Sequence, residues 1–167
     1  EIIEVATFRT DGSYKDGRRP ESVEFSSPEK DAQRRDFTIN GLFLDPFTGE
    51  IIDHVGGRAD LESKILRSIG NPKDRFEEDA LRLLRAIRFA TTTGFAIESK
   101  TWGAIQECAP LLSKISPERI RDEFSRIILT PERGRGPDLL VESGLIIEFL
   151  PEVIELKGCE QPPKWHP

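Results

Sequence analysis

The feature that most constrains this chain is a helical pattern that runs from residue 75 to residue 90. Apolar side chains recur there three and four positions apart, whereas arginines and acids fill the other positions. At about 100° per residue, this spacing predicts one amphipathic helix with an apolar side that must pack inward. Asn71-Pro72 is a start signal for a helix, and Gly94 ends the pattern.

The segments on the two sides of residue 68 differ in kind. In the first, β-branched and apolar runs predict strands over 2–9, 37–44 and 50–53. Ser27-Pro28 predicts the start of a short helix that ends near residue 35. Beyond residue 71 the sequence predicts only helices, with further ones over 99–112, 116–129, 135–143 and 145–150. The chain is therefore predicted to have an α+β fold, with a mixed part followed by an all-helical part.

The composition narrows the class of protein. The 167 residues suit one compact domain or two small ones, and no apolar run is long enough for a membrane helix. The formal net charge of −6 argues against a protein that coats nucleic acid non-specifically, although a local basic groove is still compatible with it. Cys108 and Cys159 lie far apart without a metal-ligand spacing, which indicates free thiols in a reducing cytoplasm.

The first candidate site is the string RRDFTIN over residues 34–40. Arg34 and Arg35 are adjacent at the end of a predicted helix, and a predicted strand follows. A guanidinium donates in a fixed fork and keeps its charge, so this pair suits a triphosphate, with Asp36 placed to hold one arginine. The alternative is a helix C-terminus at which basic residues are simply favourable.

The second candidate site is the polar side of the predicted long helix. Glu78, Asp79, Arg82 and Arg85 share it, and Arg88 continues the row at its edge. The alternative is a solvated side with ion pairs three and four positions apart. Cytosine and adenine both present an amino donor beside a ring-nitrogen acceptor, so an acid and an arginine one turn apart can recognise both bases. Uracil and guanine place a carbonyl where the carboxylate needs a donor, and that mismatch costs about 1–3 kcal/mol.

Three further segments carry weaker signals. Glu4 is an acid within an apolar strand, which suits either an exposed edge strand or a metal. The string DHVGGRADL over 53–61 suits a strand–turn–helix connection or a hinge at the junction of the two parts. The helix predicted from Ser116 is read as an amphipathic packing helix, with a contribution to a nucleotide pocket as the alternative.

Taken together, these strings resemble the bacterial and eukaryotic (class II) tRNA nucleotidyltransferases, the CCA-adding enzymes, and the related bacterial poly(A) polymerases. The matching strings are EVATFR, DGRRP, RRDFTIN, DHVGGRADL, GNPKDRFEEDALRLLRAIRFA and ISPERIRDEFSRIIL. They cover most of residues 2–130 in the family's order. The resemblance implies the later part of a polymerase-β-like head over 1–68, a base-recognising helical neck over 69–130, the start of a helical body over 131–157 and a linker over 158–167.

The resemblance also implies roles for single residues. Arg34, Arg35, Asp36 and Asn40 belong to the family's arginine motif near the nucleotide. Asp79 and Arg82, preceded by Glu78, match the pair that recognises the incoming base, and Arg85 and Arg88 match arginines that contact the nucleotide. Glu4 matches an acid beside the Mg²⁺ site. Asp53, Gly56, Gly57 and Asp60 belong to the motif of the hinge between head and neck.

One part of the family pattern is not in this sequence. The phosphate-binding Gly-Gly turn and the Asp-x-Asp metal pair of the family would lie before residue 1. Both ends of the chain look cut, so we expect a piece of a longer protein that is inactive alone and that needs a complementing N-terminal segment or a homodimer. The terminal string GCEQPPKWHP resembles the lead-in to a metal-dependent phosphohydrolase domain of the HD type.

The expected function follows from this resemblance. The chain is expected to belong to an enzyme that adds CMP and AMP from CTP and ATP to the 3′ end of tRNA without a template, with Mg²⁺. Enzymes that add only CC or only A, and a bacterial poly(A) polymerase, stay open because ATP and CTP fit the same acid–arginine pair. A non-catalytic RNA-binding module is the alternative from another class.

Overall fold

The structure is a computed structural model that describes residues 6–11, 23–131, 134–156 and 158. Its strands are β1 (Arg9–Asp11), β2 (Val23–Phe25), β3 (Leu42–Leu44), β4 (Ile51–Asp53), β5 (Ile65–Leu66) and β6 (Ala96–Ile97). Its helices are α1 (Pro28–Gln33), α2 (Gly57–Ser63), α3 (Pro72–Glu78), α4 (Leu81–Thr93), α5 (Ser99–Cys108), α6 (Pro117–Ile128), α7 (Arg135–Glu142) and α8 (Glu152–Glu155). Short 3₁₀ turns occupy Thr38–Asn40, Ala109–Lys114 and Leu145–Glu148.

The described strands form three small pairs rather than one sheet. β1–β2 and β3–β4 are antiparallel, whereas β5 and β6 are parallel and place Ile65 opposite Ala96. The strand predicted over 37–44 forms only at its end, because residues 38–40 turn as a 3₁₀ helix. The Asp36 carboxylate accepts from the Phe37 N–H and from the Asn40 amide, both at 2.9 Å, and such local bonds compete with a strand ladder.

The single helix predicted over 75–90 is wrong, because the chain leaves the helical conformation at Asp79. Asp79 has extended backbone angles, φ −148° and ψ 102°, and it separates α3 from α4. Its carboxylate accepts from the Leu81 N–H at 3.1 Å and thereby satisfies a donor at the start of α4. The apolar residues of both helices belong to one core cluster, so the apolar periodicity continues across the break and does not reveal the interruption.

Helix α4 lies at the centre of the core. Leu83, Leu84 and Ile87 are fully buried, and each contributes about 1.5–3 kcal/mol by leaving water. The same cluster includes Phe37 and Leu66 from the mixed part of the chain. Phe37 also packs edge to face on Phe89, with ring centroids 5.7 Å apart. The mixed part and the helices therefore share one core.

The C-terminal end of α4 is closed by a residue from another helix. Gly94 adopts the left-handed conformation, φ 73°, and ends α4 as the sequence predicts. The Arg135 guanidinium on α7 then donates to the carbonyl oxygens of Ala90 at 3.0 Å and Phe95 at 2.6 Å. Arg135 thus satisfies backbone acceptors that the end of a helix leaves without partners.

Replacing Arg135 with methionine is expected to lower the free energy of unfolding by about 1–3 kcal/mol, because two carbonyl groups lose charged donors. Urea denaturation measures this difference. Arg121→Met is the matched control, since the Arg121 guanidinium is largely exposed and pairs with the adjacent Asp122. Equal stability of the two variants would contradict the capping role.

The predicted hinge segment forms a turn before α2 that is held by hydrogen bonds to one carboxylate. The Asp53 carboxylate accepts from the N–H groups of Val55, Gly56, Gly57 and Arg58, at 2.9–3.1 Å. Burial alone would raise the pKa of the Asp53 carboxyl, but these four bonds lower it below its usual value. The hinge role itself stays a prediction.

Asp60, another residue of the predicted hinge motif, is buried within α2. Its carboxylate accepts from the Thr38 hydroxyl at 2.8 Å and from Arg67 Nε at 3.0 Å. It therefore ties α2 both to the 3₁₀ turn at residues 38–40 and to the end of β5.

Candidate functional site

A basic pocket of about 490 Å³ opens between the segment after α1 and the helices α4 and α6. It is lined by Arg9, Arg34, Arg35, Asp36, Asn40, Asp79, Leu81, Arg82, Arg85, Phe89 and Arg119. Within the described part of the chain, six arginines line it against two aspartates. A strongly positive pocket in a chain of net negative charge indicates a site for an anionic ligand.

Arg34 and Arg35 are fixed on one side of this pocket by a buried acid, Asp31 on α1. The Asp31 Oδ1 atom accepts from Arg34 Nη2 at 2.6 Å, and its Oδ2 atom accepts from Arg35 Nη2 at 3.0 Å. Arg35 Nη1 also donates to the Asn40 carbonyl at 2.7 Å, and its guanidinium stacks over the Phe43 ring. Two fork-shaped donors therefore reach the pocket with their positions set by neighbours.

Asp36 and Arg85 join the mixed part of the chain to α4. The Asp36 Oδ2 atom accepts from Arg85 Nε at 2.8 Å and from Arg85 Nη2 at 2.5 Å. Its other oxygen holds Asn40, and the Arg85 guanidinium lies 5.4 Å from the Phe89 ring centroid. The prediction that Asp36 holds one of the two adjacent arginines is wrong, because Asp31 binds Arg34 and Arg35 whereas Asp36 binds Arg85.

Asp79 and Arg82 line the opposite side of the pocket, although a helix break separates them. Asp79 Oδ2 accepts from Arg119 Nη2 of α6 at 3.1 Å. Arg82 is 8% exposed, and its Nη1 atom donates to Glu78 Oε2 at 2.7 Å. Arg82 Nη2 donates to the Arg34 carbonyl at 3.2 Å, which connects the two sides. The acid and the guanidinium thus face one space from two differently anchored positions.

Two of the predicted nucleotide-binding residues do not line the pocket. Glu78 binds both Arg75 and Arg82, so it supports the pocket from behind. Arg88 pairs instead with the buried Glu123 of α6, with Nε 2.7 Å from Oε2. Contact of these two residues with a nucleotide stays a prediction. The predicted metal ligand Glu4 and most of the predicted linker lie outside the described residues.

Several residues that line the pocket, and one that supports it from behind, were missed as individual candidates. Asp31 had a readable signal, because it precedes Arg34 and Arg35 by three and four positions on a helix. Arg119 belongs to the helix for which a pocket contribution was only the alternative interpretation. Arg9 and Phe89 had no local signal, since only the tertiary fold brings them to the same space.

The arrangement has the chemistry of a nucleoside triphosphate site. Arginine forks suit phosphate oxygens, whereas an acid beside a guanidinium offers an acceptor and a donor to a base edge. In the described ranges, no three His, Cys, Asp or Glu side chains are grouped to hold a metal ion. None of the helices in those ranges has the length and apolar character needed to cross a membrane.

Family comparisons agree with this chemistry. The family described as "Poly A polymerase head domain" matches residues 1–67. The family described as "Probable RNA and SrmB- binding site of polymerase A" matches residues 94–156. The α+β fold, with a partial head followed by helices, is therefore confirmed.

Individual relatives identify the family more narrowly than the two domain models do. A CCA-adding enzyme from Streptococcus gordonii is 51% identical over 156 residues, which are 93% of this chain and 38% of that protein. The crystal structure of a Bacillus stearothermophilus CCA-adding enzyme in complex with CTP has a TM-score of 0.75 and 43% identity, over 83% of this chain and 33% of that one. A Thermotoga maritima CCA-adding enzyme complexed with tRNA has a TM-score of 0.69 and 29% identity, over 75% and 31%.

This chain belongs to the family of the tRNA nucleotidyltransferases, or CCA-adding enzymes, and the related poly(A) polymerases. It spans 38% of the length of the Streptococcus relative.

Proposed function

We propose that the protein containing this chain adds CMP and AMP from CTP and ATP to the 3′ end of tRNA without a nucleic-acid template. One observation carries the proposal: a single pocket brings Asp79 and Arg82 together with Arg34, Arg35 and Arg85. The relatives that are named CCA-adding enzymes, and the related structures with CTP and with tRNA, support it.

In this proposal Asp79 and Arg82 recognise the base. The Asp79 carboxylate accepts from Arg119 and from the Leu81 N–H, and a carboxylate has about four acceptor positions, so it can also accept from an amino group. Arg82 is held by Glu78 and by two backbone carbonyls, so its direction is set before a nucleotide arrives. Preorganised partners lose less entropy when a ligand binds.

Arg34, Arg35 and Arg85 bind the triphosphate in this proposal. Each of the three offers a planar fork of donors that suits phosphate oxygens, and each is already oriented by a buried aspartate. Asn40 is a positioning residue, since its side-chain amide donates to Asp36 and its backbone carbonyl accepts from Arg35.

We further propose Mg²⁺ as the metal of the reaction and the cytoplasm as its location. A divalent ion in such a transfer neutralises charge that develops on the phosphates. In this proposal the residues of the pocket contribute binding and orientation of the nucleotide. Glu4 stays a proposed metal ligand outside the described ranges.

The decisive experiment supplies the full-length gene product with tRNA that lacks its terminal CCA and with one nucleotide at a time. We expect incorporation of C from CTP, and of A from ATP once C is in place, because one pocket accepts both bases whose pairing edge presents an amino donor beside a ring-nitrogen acceptor. Gel analysis of labelled tRNA measures each addition. UTP and GTP should give little product.

Other outcomes would favour other functions. The head family's description favours a poly(A) polymerase as the second candidate, and addition of A alone to any RNA end would support it against CCA addition. Addition of C alone or of a single A would indicate a specialised tRNA enzyme. Binding of RNA without any nucleotide addition would indicate a non-catalytic module and would overturn the proposal.

A further inference from the structure

Asp31 is a buried acid that lies behind the pocket rather than in its lining. Its side chain is almost completely enclosed, with 1% of the residue exposed. Oδ1 accepts from Arg34 Nε at 2.9 Å and Nη2 at 2.6 Å, and from the Arg9 N–H at 3.2 Å. Oδ2 accepts from Arg35 Nε at 3.2 Å and Nη2 at 3.0 Å. The Asp31 carboxylate therefore accepts two hydrogen bonds from each of two adjacent guanidiniums.

These paired hydrogen bonds fix Arg34 and Arg35 relative to each other. Each guanidinium binds one carboxylate oxygen through its Nε and one Nη atom, so its plane and direction are both set. The Arg9 N–H adds a contact from β1, which connects α1 to the neighbouring strand. Burial alone would raise the pKa of the Asp31 carboxyl, but the bonds from Arg34, Arg9 and Arg35 lower it, so the group is charged at neutral pH.

We propose that Asp31 is a positioning residue that sets the spacing of Arg34 and Arg35 for the phosphates of an incoming nucleoside triphosphate. The proposal rests on the proposed function, since it names what one side of the same pocket binds. Asp31 does not line the pocket and is not assigned any contact with the nucleotide.

The negative charge of Asp31 and its positioning role have opposite effects on the affinity for a triphosphate, so one experiment can distinguish them. A negative charge behind the pocket weakens the attraction of phosphates, so its removal should tighten binding if charge dominates. An asparagine keeps the shape but presents an NH₂ group to one guanidinium, and two donors repel each other. One arginine would then lose its paired bonds to residue 31, although either arginine would keep its bond to a backbone carbonyl. Triphosphate binding would then have to order that arginine, which costs affinity. Because the pocket is open to solvent and salt screens the charge term, we expect positioning to win.

The test measures binding of CTP and of CMP to the full-length gene product by calorimetry at two salt concentrations. Asp31→Asn should weaken CTP binding roughly tenfold and leave CMP binding within about twofold, because only CTP carries the outer phosphates. Glu98→Gln is the matched control, since Glu98 is a half-buried acid that, like Asp31, pairs with an arginine, here Arg67, and it caps a helix away from the pocket. It should leave the affinity for CTP unchanged.

Each other outcome has a defined meaning. Equal or tighter CTP binding by Asp31→Asn would overturn the positioning role, and an equal loss for CTP and CMP would make Asp31 a purely structural residue. Absence of CTP binding by the unmodified protein would instead count against the proposed function. If Asp31→Asn does not fold, Arg35→Lys keeps the charge but lacks the forked grip on Asp31, and it should show the same loss confined to CTP. Unchanged CTP binding by Arg35→Lys would overturn the proposal as well.

Discussion

Replacing Asp79 with alanine in the full-length protein is expected to reduce the preference for CTP and ATP over UTP and GTP by roughly 10- to 100-fold. The carboxylate is the acceptor that an amino group satisfies and that a carbonyl group does not, a difference of about 1–3 kcal/mol. The change also frees Arg119, which bonds to Asp79 at 3.1 Å, to donate to the carbonyl of a wrong base. Incorporation rates with each nucleotide, compared as kcat/KM, measure the effect.

Asp74→Ala is the matched control for this experiment. Asp74 lies on α3, the helix that ends just before Asp79, but its carboxylate accepts from the exposed Asn71 amide and does not line the pocket. It should leave the nucleotide preference unchanged. Unchanged selectivity in Asp79→Ala would remove Asp79 from base recognition, and a general loss of activity with all four nucleotides would assign it to support of α4 instead.

The second large effect is expected from Gly57→Ala, which should lower the free energy of unfolding by about 3 kcal/mol or more. An alanine Cβ at this position would lie 2.1 Å from the Thr38 carbonyl oxygen, and the contact is with backbone, so no side chain can turn away. Either α2 or the 3₁₀ turn at residues 38–40 must move. The turn carries Asn40, so nucleotide binding should weaken together with stability.

Urea denaturation compares this variant with Gly103→Ala as its matched control. Gly103 lies in the interior of α5, where an added Cβ meets nothing among the described atoms within 4 Å. Alanine there should raise the free energy of unfolding by about 0.5–1 kcal/mol, because it restricts the unfolded chain and favours the helix. If the two variants had equal stability, the close approach of Gly57 to Thr38 would not be a constraint.

Most of the fold could be predicted because its signals are local. Pro72 after Asn71, and Gly94, mark helix ends by backbone chemistry that operates within a few residues. The break at Asp79 could not be predicted from the same information. The apolar pattern continues across the break without a gap, and one of the bonds to the Asp79 carboxylate comes from Arg119, forty positions further on.

The contrast between local signals and distant partners also explains which site residues could be predicted. RRDFTIN is a local string, and its members Arg34, Arg35, Asp36 and Asn40 do line one pocket. The partner of Asp36, in contrast, is 49 positions away on α4, and no spacing in the sequence indicates it. Arg88 shares the polar periodicity of Arg82 and Arg85, but Glu123 captures it. Periodicity predicts the side of a helix, and a tertiary partner decides which residues on that side reach the pocket.

The shared core has a consequence for anyone who would divide this polypeptide. A cut at residue 68, where the sequence changes character, would remove β5 from its parallel partner β6 and would strip Phe37 from the ring of Phe89. It would also separate Arg85 from the carboxylate that orients it. The separated helical part would expose apolar surface to water, and its Arg85 guanidinium would have no aspartate to orient it. Neither part would therefore bind the ligand as tightly as the uncut chain does.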